Sequence, residues 1–196
     1  MNRQDIYCIT ESRCQTGPPE GGFAGAAQVS AGVGHDVLVD ISVDAVVSYV
    51  DRAVDQMMEI VTGLGDDLAN RKPALPGANS PYAILRHCLG VMEFWGGEVV
   101  AGREVIRDRP AEFRSQGPVA DLAAAAHKAL DQFRADAGTA DFAGPTRGGA
   151  GHQKHPDELE FASQGHTLLH VLEEVTQHLG QLELTRDVLR AAAAPG

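Results

Sequence analysis

Apolar residues recur at a helical spacing over four stretches of the chain, with no strand-like alternation between them. Val46, Val47, Val50, Ala53, Val54, Met57, Met58 and Val61 mark the first, from about Ser42 or Asp44 to Gly63, with either polar residue able to cap it. Gly63-Leu-Gly65 stops this helix, and a short turn follows through Asp66 to Asn70. The second runs from Tyr82 to about Gly102 through Ile84, Leu85, Cys88, Leu89, Val91, Met92, Phe94, Trp95 and Val99. Its start is signalled by Asn79 or Ser80 as a cap and Pro81 in the first turn, and Gly96-Gly97 weakens its second half without breaking it. The third spans Val119 to Ala137, with Leu122, Ala126, Ala129, Leu130 and Phe133 inward. The fourth has a lead-in turn capped by Asp157 with Glu160 and an interruption at Gly165. It continues to about Ala193 through Leu168, Val171, Leu172, Val175, Leu179, Leu182 and Leu189. Four such helices predict an all-α four-helix bundle.

The remaining segments divide the chain. Residues 1–40 form a Gly-rich, aperiodic head, expected to be irregular apart from a short extended piece around Val37 to Ile41, and 41–196 form the bundle. Two connections are long: 103–118, where Arg109-Pro-Ala-Glu-Phe-Arg predicts a turn, and 137–156, which carries His152 and His155. A loop of that length in a compact domain usually has a job or is mobile.

With 43 % hydrophobic and 22 % charged residues, the 196-residue chain reads as globular and long enough for a full core. Its formal charge of -11 repels phosphate backbones, and no basic cluster offsets it, so nucleic acid is excluded as a partner. Cys8, Cys14 and Cys88 are too few, and odd in number, for a disulfide framework. There is no signal-peptide run and no stretch of membrane-spanning length, so a reducing cytoplasm is the expected compartment.

The fourth helix carries the chemistry. His170, Glu174 and His178 are each four residues apart and share one face. His170 and His178 are about 12 Å apart along the axis, too far to bind one ion together, so the triplet splits into two overlapping pairs with Glu174 common to both. His87, in the middle of the second helix among apolar residues, is the best candidate for a third ligand. A metal at His87, Glu174 and His178 stands against the alternative of core histidines hydrogen-bonded to Glu174. His170 either lines the cavity mouth and orients Glu174, or faces the long loop. His127 reads as a surface residue, His152 and His155 as a solvated loop pair, and His35 has no helical context. Cys88 diverges from His87 by about 100° on the helix and makes no nucleophilic pair with it. Neither a phosphate-binding loop, a Gly-x-Ser-x-Gly elbow nor a His-Glu-x-x-His motif is present.

The runs His170-Val-Leu-Glu-Glu-Val-Thr-Gln-His-Leu-Gly-Gln-Leu-Glu-Leu-Thr-Arg-Asp-Val-Leu189 and Asn79-Ser-Pro-Tyr-Ala-Ile-Leu-Arg-His-Cys-Leu-Gly-Val-Met-Glu-Phe-Trp95 resemble the DinB-like superfamily. Within it, the similarity is to the branch of mycothiol-dependent maleylpyruvate isomerases and mycothiol transferases, over roughly residues 42 to 192. The resemblance implies a bundle of up-down-down-up type with one divalent metal, held by a histidine of the second helix and two residues four apart on the fourth. Those positions fall on His87, Glu174 and His178, and glutamate at the middle one resembles the isomerase branch. The implied function is a metal-dependent transferase or isomerase with a mycothiol-like small thiol as co-substrate. The alternatives are a non-catalytic metal-binding or small-molecule-binding bundle, or a metal-dependent hydrolase. Zinc suits two nitrogens and a carboxylate, and nickel, iron and cobalt accept the same set. The expected partner is a small-molecule substrate, with no membrane and with a homodimer left open. The Gly-rich head, the His152/His155 loop and His170 are additions to the family pattern.

Overall fold

The structure, a computed structural model, describes residues 41–149 and 158–193. The head with Cys8, Cys14 and His35, the loop pair His152 and His155, and the expected cap Asp157 all lie outside the described residues. Among the described residues every regular element is helical.

Helix α1 is Val43–Ala69. Ser42 caps it, its Oγ accepting the Ala45 N–H at 3.1 Å. Gly65, at φ 68° and ψ 172°, breaks the regular winding, and a last turn carries the chain to Ala69. Only glycine reaches that backbone region at little cost, so the expected stop at Gly63-Leu-Gly65 is where the structure bends. Helix α2, Pro81–Val91, begins with Ser80 Oγ accepting from the Ala83 N–H and with Pro81 in the first turn. It runs on without interruption as a π-helix, Met92–Val100. Gly96 lies in that wider turn directly against the Phe133 ring, where an added Cβ would come within 2.7 Å of Cδ2. A short α3, Arg109–Glu112, follows, capped by Asp108. Helix α4 is Val119–Ala137. After a 3-10 turn, Leu159–Phe161, comes α5, Gln164–Ala193.

Gly165 does not interrupt the last helix, contrary to the expectation from sequence; it lies in the first turn of α5. Its place there is set by packing. A Cβ would run into the ring and carbonyl of Phe142, and its own N–H donates to that carbonyl at 2.9 Å.

Contacts between helix ends fix the directions. The end of α1 meets the start of α4: Asp66 Oδ1 accepts the Val119 N–H at 2.8 Å, and Asn70 exchanges hydrogen bonds with the Gly117 backbone. Asp66 thereby caps α4, whose own N-cap is Pro118 with no side-chain hydrogen bond. Gly117 also abuts the Tyr82 ring at the start of α2. Helices α2 and α4 therefore run parallel, and α1 runs against both. At the other end, Arg134 of α4 reaches Asp51 of α1 at 3.0 Å. Arg190, late in α5, lies beside Gly63, late in α1, so α5 runs with α1. The bundle is up-down-down-up. Its core joins Val50, Met57, Leu85, Leu89, Leu130, Phe133, Val171 and Leu182 from the four long helices.

Candidate metal centre

His87 is 2 % exposed on α2, and Glu174 and His178 reach towards it from α5. One ligand atom from each of the three lies within 4.8 Å of the others. Glu174 Oε2 is 3.7 Å from His87 Nε2 and 3.6 Å from His178 Nε2. The two imidazole rings meet almost at right angles, their centroids 4.8 Å apart.

Each ring is tethered through its other nitrogen. His87 Nδ1 lies 2.7 Å from Glu112 Oε2 and His178 Nδ1 2.8 Å from Gln181 Oε1. An acceptor at Nδ1 favours the tautomer that carries its proton there, leaving the Nε2 lone pair facing Glu174. Glu112 is buried and is gripped by Arg107 at 2.8 Å and 3.1 Å. Burial alone would push its pKa up, but hydrogen bonds from His87 and Arg107 reverse that, and it stays below the ordinary carboxylate value. The imidazoles of His178 and then His87 likewise hold the Glu174 carboxyl well below its usual range, against the opposing effect of burial.

This donor set fits a divalent cation. Two nitrogen lone pairs and a carboxylate oxygen converge at separations too long for hydrogen bonds. Ligands of one tetrahedral ion, with bonds of about 2.0–2.1 Å, sit roughly 3.3 Å apart, so a small inward movement would seat all three. A carboxylate behind one histidine and an amide behind the other match the outer hydrogen bonds that metal-binding imidazoles usually make.

Sequence reasoning brought the three donors forward but missed Glu112, Arg107 and Gln181. Gln181 was within reach, because it follows His178 by three residues and so shares its face. Asp108 and Pro110 signal the turn that presents Glu112, yet nothing in the sequence pairs that turn with His87. Gly90, one turn beyond His87, leaves the room: a Cβ there would run into the Glu112 carboxylate.

The other candidates are not among the converging donors, although His170 acts electrostatically on Glu174. His170 packs its ring edge-on against Trp95, centroids 4.7 Å apart, and its Nδ1 is 3.8 Å from Glu173 and 4.0 Å from Glu160. Trp95 in turn meets Phe161 at 5.2 Å. His127 is on the surface. His166, which sequence reasoning passed over, is exposed and bonded to Ser163 Oγ at 2.9 Å. Cys88 is fully buried, and burial pushes its thiol pKa far up.

Compared with known families, the chain matches the mycothiol-S-transferase family model over residues 45–191, about three quarters of its length. It belongs to the mycothiol-S-transferase family. No curated protein matches it. All three converging donors of this mycothiol-S-transferase family member lie inside the matched span, as do the crossover residues Arg107 and Glu112. Phe113, also within it, stacks on the His87 ring with centroids 4.6 Å apart and closes one side of the cluster. Among the described residues, no helix of this family member is long and apolar enough to cross a membrane.

Proposed function

We propose that the chain is a divalent-metal-dependent transferase or isomerase that uses a low-molecular-weight thiol of the mycothiol kind, with His87, Glu174 and His178 holding the ion. The observation that carries this reading is the convergence of three tethered donors in a chain of this family. Zinc is the proposed ion; nickel, iron and cobalt suit the same donors. A divalent ion so held lowers the pKa of a thiol bound beside it, making a thiolate available near neutral pH.

The chain's own residues prepare that chemistry. Glu112 and Gln181 tether the two imidazoles, so each keeps Nε2 turned towards Glu174. Arg107 keeps the buried Glu112 ionised, which makes the His87 ring a better donor. Phe113 covers a face of His87 and shields it from water. Cys88, next to His87 in sequence, is buried, and that burial disfavours its thiolate, so it does not supply the reacting sulfur in this reading; a small external thiol does.

Calorimetric titration of the metal-loaded protein with a panel of small thiols including mycothiol, followed by turnover assays with electrophiles such as maleylpyruvate, tests the proposal. Saturable thiol binding that disappears in His87→Ala, together with adduct or isomer formation, is the expected result. Metal-loaded protein that binds no thiol and turns over none of the electrophiles would remove it.

A further inference from the structure

On the side of α2 turned away from His87, a groove runs between α2, the start of the π-helix and α4, with a volume of 380 Å³. That is within the range of small-molecule sites. Leu89, Met92 and Phe133 lie beneath the groove, each almost fully buried, so the apolar surface that it offers comes mainly from Ala125 and Ala129. The groove exists because α4 faces it with small residues, Ala125 and Ala129, where larger ones would fill the space. Helices α2 and α4 are parallel, so the groove follows both, and Ala125 to Asp136 spans about 16 Å at 1.5 Å per residue.

Its charges are unevenly matched. At the far end, Arg103 is clamped on the buried Asp136 by two hydrogen bonds of 2.9 Å and 2.7 Å, and Glu93 lies close enough to act on the same guanidinium. At the near end, Arg86 is half-buried, and among the described residues it has neither a hydrogen bond nor an ion pair. Lys128, on the facing helix, also lines the groove and likewise has no partner among the described residues. Two cations without a partner among the described residues, at one end of a groove in a chain of formal charge -11, form a local positive field that favours an anionic ligand.

We propose that this groove is a second small-molecule site, which takes an elongated carboxylate with an apolar body, its charged head on Arg86 and Lys128 and its chain over Ala125 and Ala129. The site is independent of the metal reading, since it shares no residue with the cluster at His87.

Sodium octanoate titrated calorimetrically into the full-length, metal-loaded protein is the test. The expected result is saturable binding at one site, weakened at least tenfold in Arg86→Ala and abolished in Ala125→Phe, which fills the groove from the exposed side of α4. Octan-1-ol, which keeps the chain and drops the charge, should bind at least tenfold more weakly than octanoate. His87→Ala should bind octanoate as the parent does. Non-saturable uptake, octanol binding as tightly as octanoate, or retention of binding in both groove variants would overturn the proposal. So would loss of binding in His87→Ala, which would place the carboxylate at the metal centre instead.

Discussion

Oε2 of Glu112 and Nδ1 of His87 are 2.7 Å apart, although 25 residues separate them in the chain. The contact fixes the ring of one proposed ligand from the crossover between two parallel helices. Glu112→Gln keeps the shape and removes the charge, so metal affinity should fall by about 10–100-fold while the helical content stays the same. Competition with a chromophoric chelator measures the affinity. An unchanged affinity would reduce Glu112 to a packing role. Glu112→Ala, which leaves Arg107 and His87 without their buried partner, should also cost about 3 kcal/mol of stability in chemical denaturation.

Metal should behave as a ligand of the folded state. At a free concentration a hundred times the dissociation constant it should add about 2.7 kcal/mol to unfolding, read as a rise in melting temperature. Elemental analysis should show about one equivalent in the parent and almost none in His87→Ala, Glu174→Ala or His178→Ala. Metal retained in all three would show that the ion sits elsewhere.

Cys88 should be chemically silent. Burial disfavours its thiolate, which shifts its pKa upwards, so raising the pH from 7 to 9, across the usual thiol value of about 8.5, should not expose it. Mass-spectrometric mapping after iodoacetamide treatment should find the Cys88 peptide unmodified in native protein and modified in urea. Cys88→Ala should leave thiol transfer intact.

His170→Ala separates the aromatic cluster from the metal cluster. Because the His170 ring packs on Trp95, and Trp95 is the one tryptophan of the chain, the substitution should change the intrinsic emission. Metal affinity should stay within about twofold, since the His170 ring packs on Trp95 and acts on Glu174 only electrostatically, behind the hydrogen bonds of His178 and His87 in lowering its pKa. A larger loss would return His170 to a role in orienting Glu174.

Gly96→Ala pits two effects against each other. Alanine gains about 1 kcal/mol in helix propensity over glycine, whereas crowding a packed core costs about 1–3 kcal/mol. The Cβ would sit 2.7 Å from a carbon of Phe133, a ring that is 1 % exposed and packed into the core. Crowding should prevail, with a net loss of up to about 2 kcal/mol in urea unfolding.

The long helices were legible because each repeats its apolar positions over many turns and carries its own punctuation: Ser42 before α1, Ser80-Pro81 before α2, Gly65 at the bend. The convergence of Glu174 and His178 was legible for the same reason, because spacing on one helix is a local property. His87 could be proposed only from the cost of burying an imidazole among apolar residues. Neither the π-winding of Met92–Val100 nor the role of Gly165 follows from local pattern; Gly96 and Gly165 abut Phe133 and Phe142, rings from distant parts of the chain. Glu112 was hidden most completely. Its partner lies across a crossover whose path no periodicity describes.

Parallel neighbours cannot be joined by a tight turn. The chain leaving the end of α2's helical run has to travel back along the bundle before α4 can begin, and residues 101–118 are that return journey. In an up-down-up-down bundle the same two helices would be joined at one end, and no chain would pass alongside His87 at all. The topology thus creates spare backbone beside the donors, and Arg107, Glu112 and Phe113 occupy it. Trimming this return segment, as is often done to tidy surface loops, would strip the candidate metal centre of its outer residues while leaving every one of the three donors in the sequence.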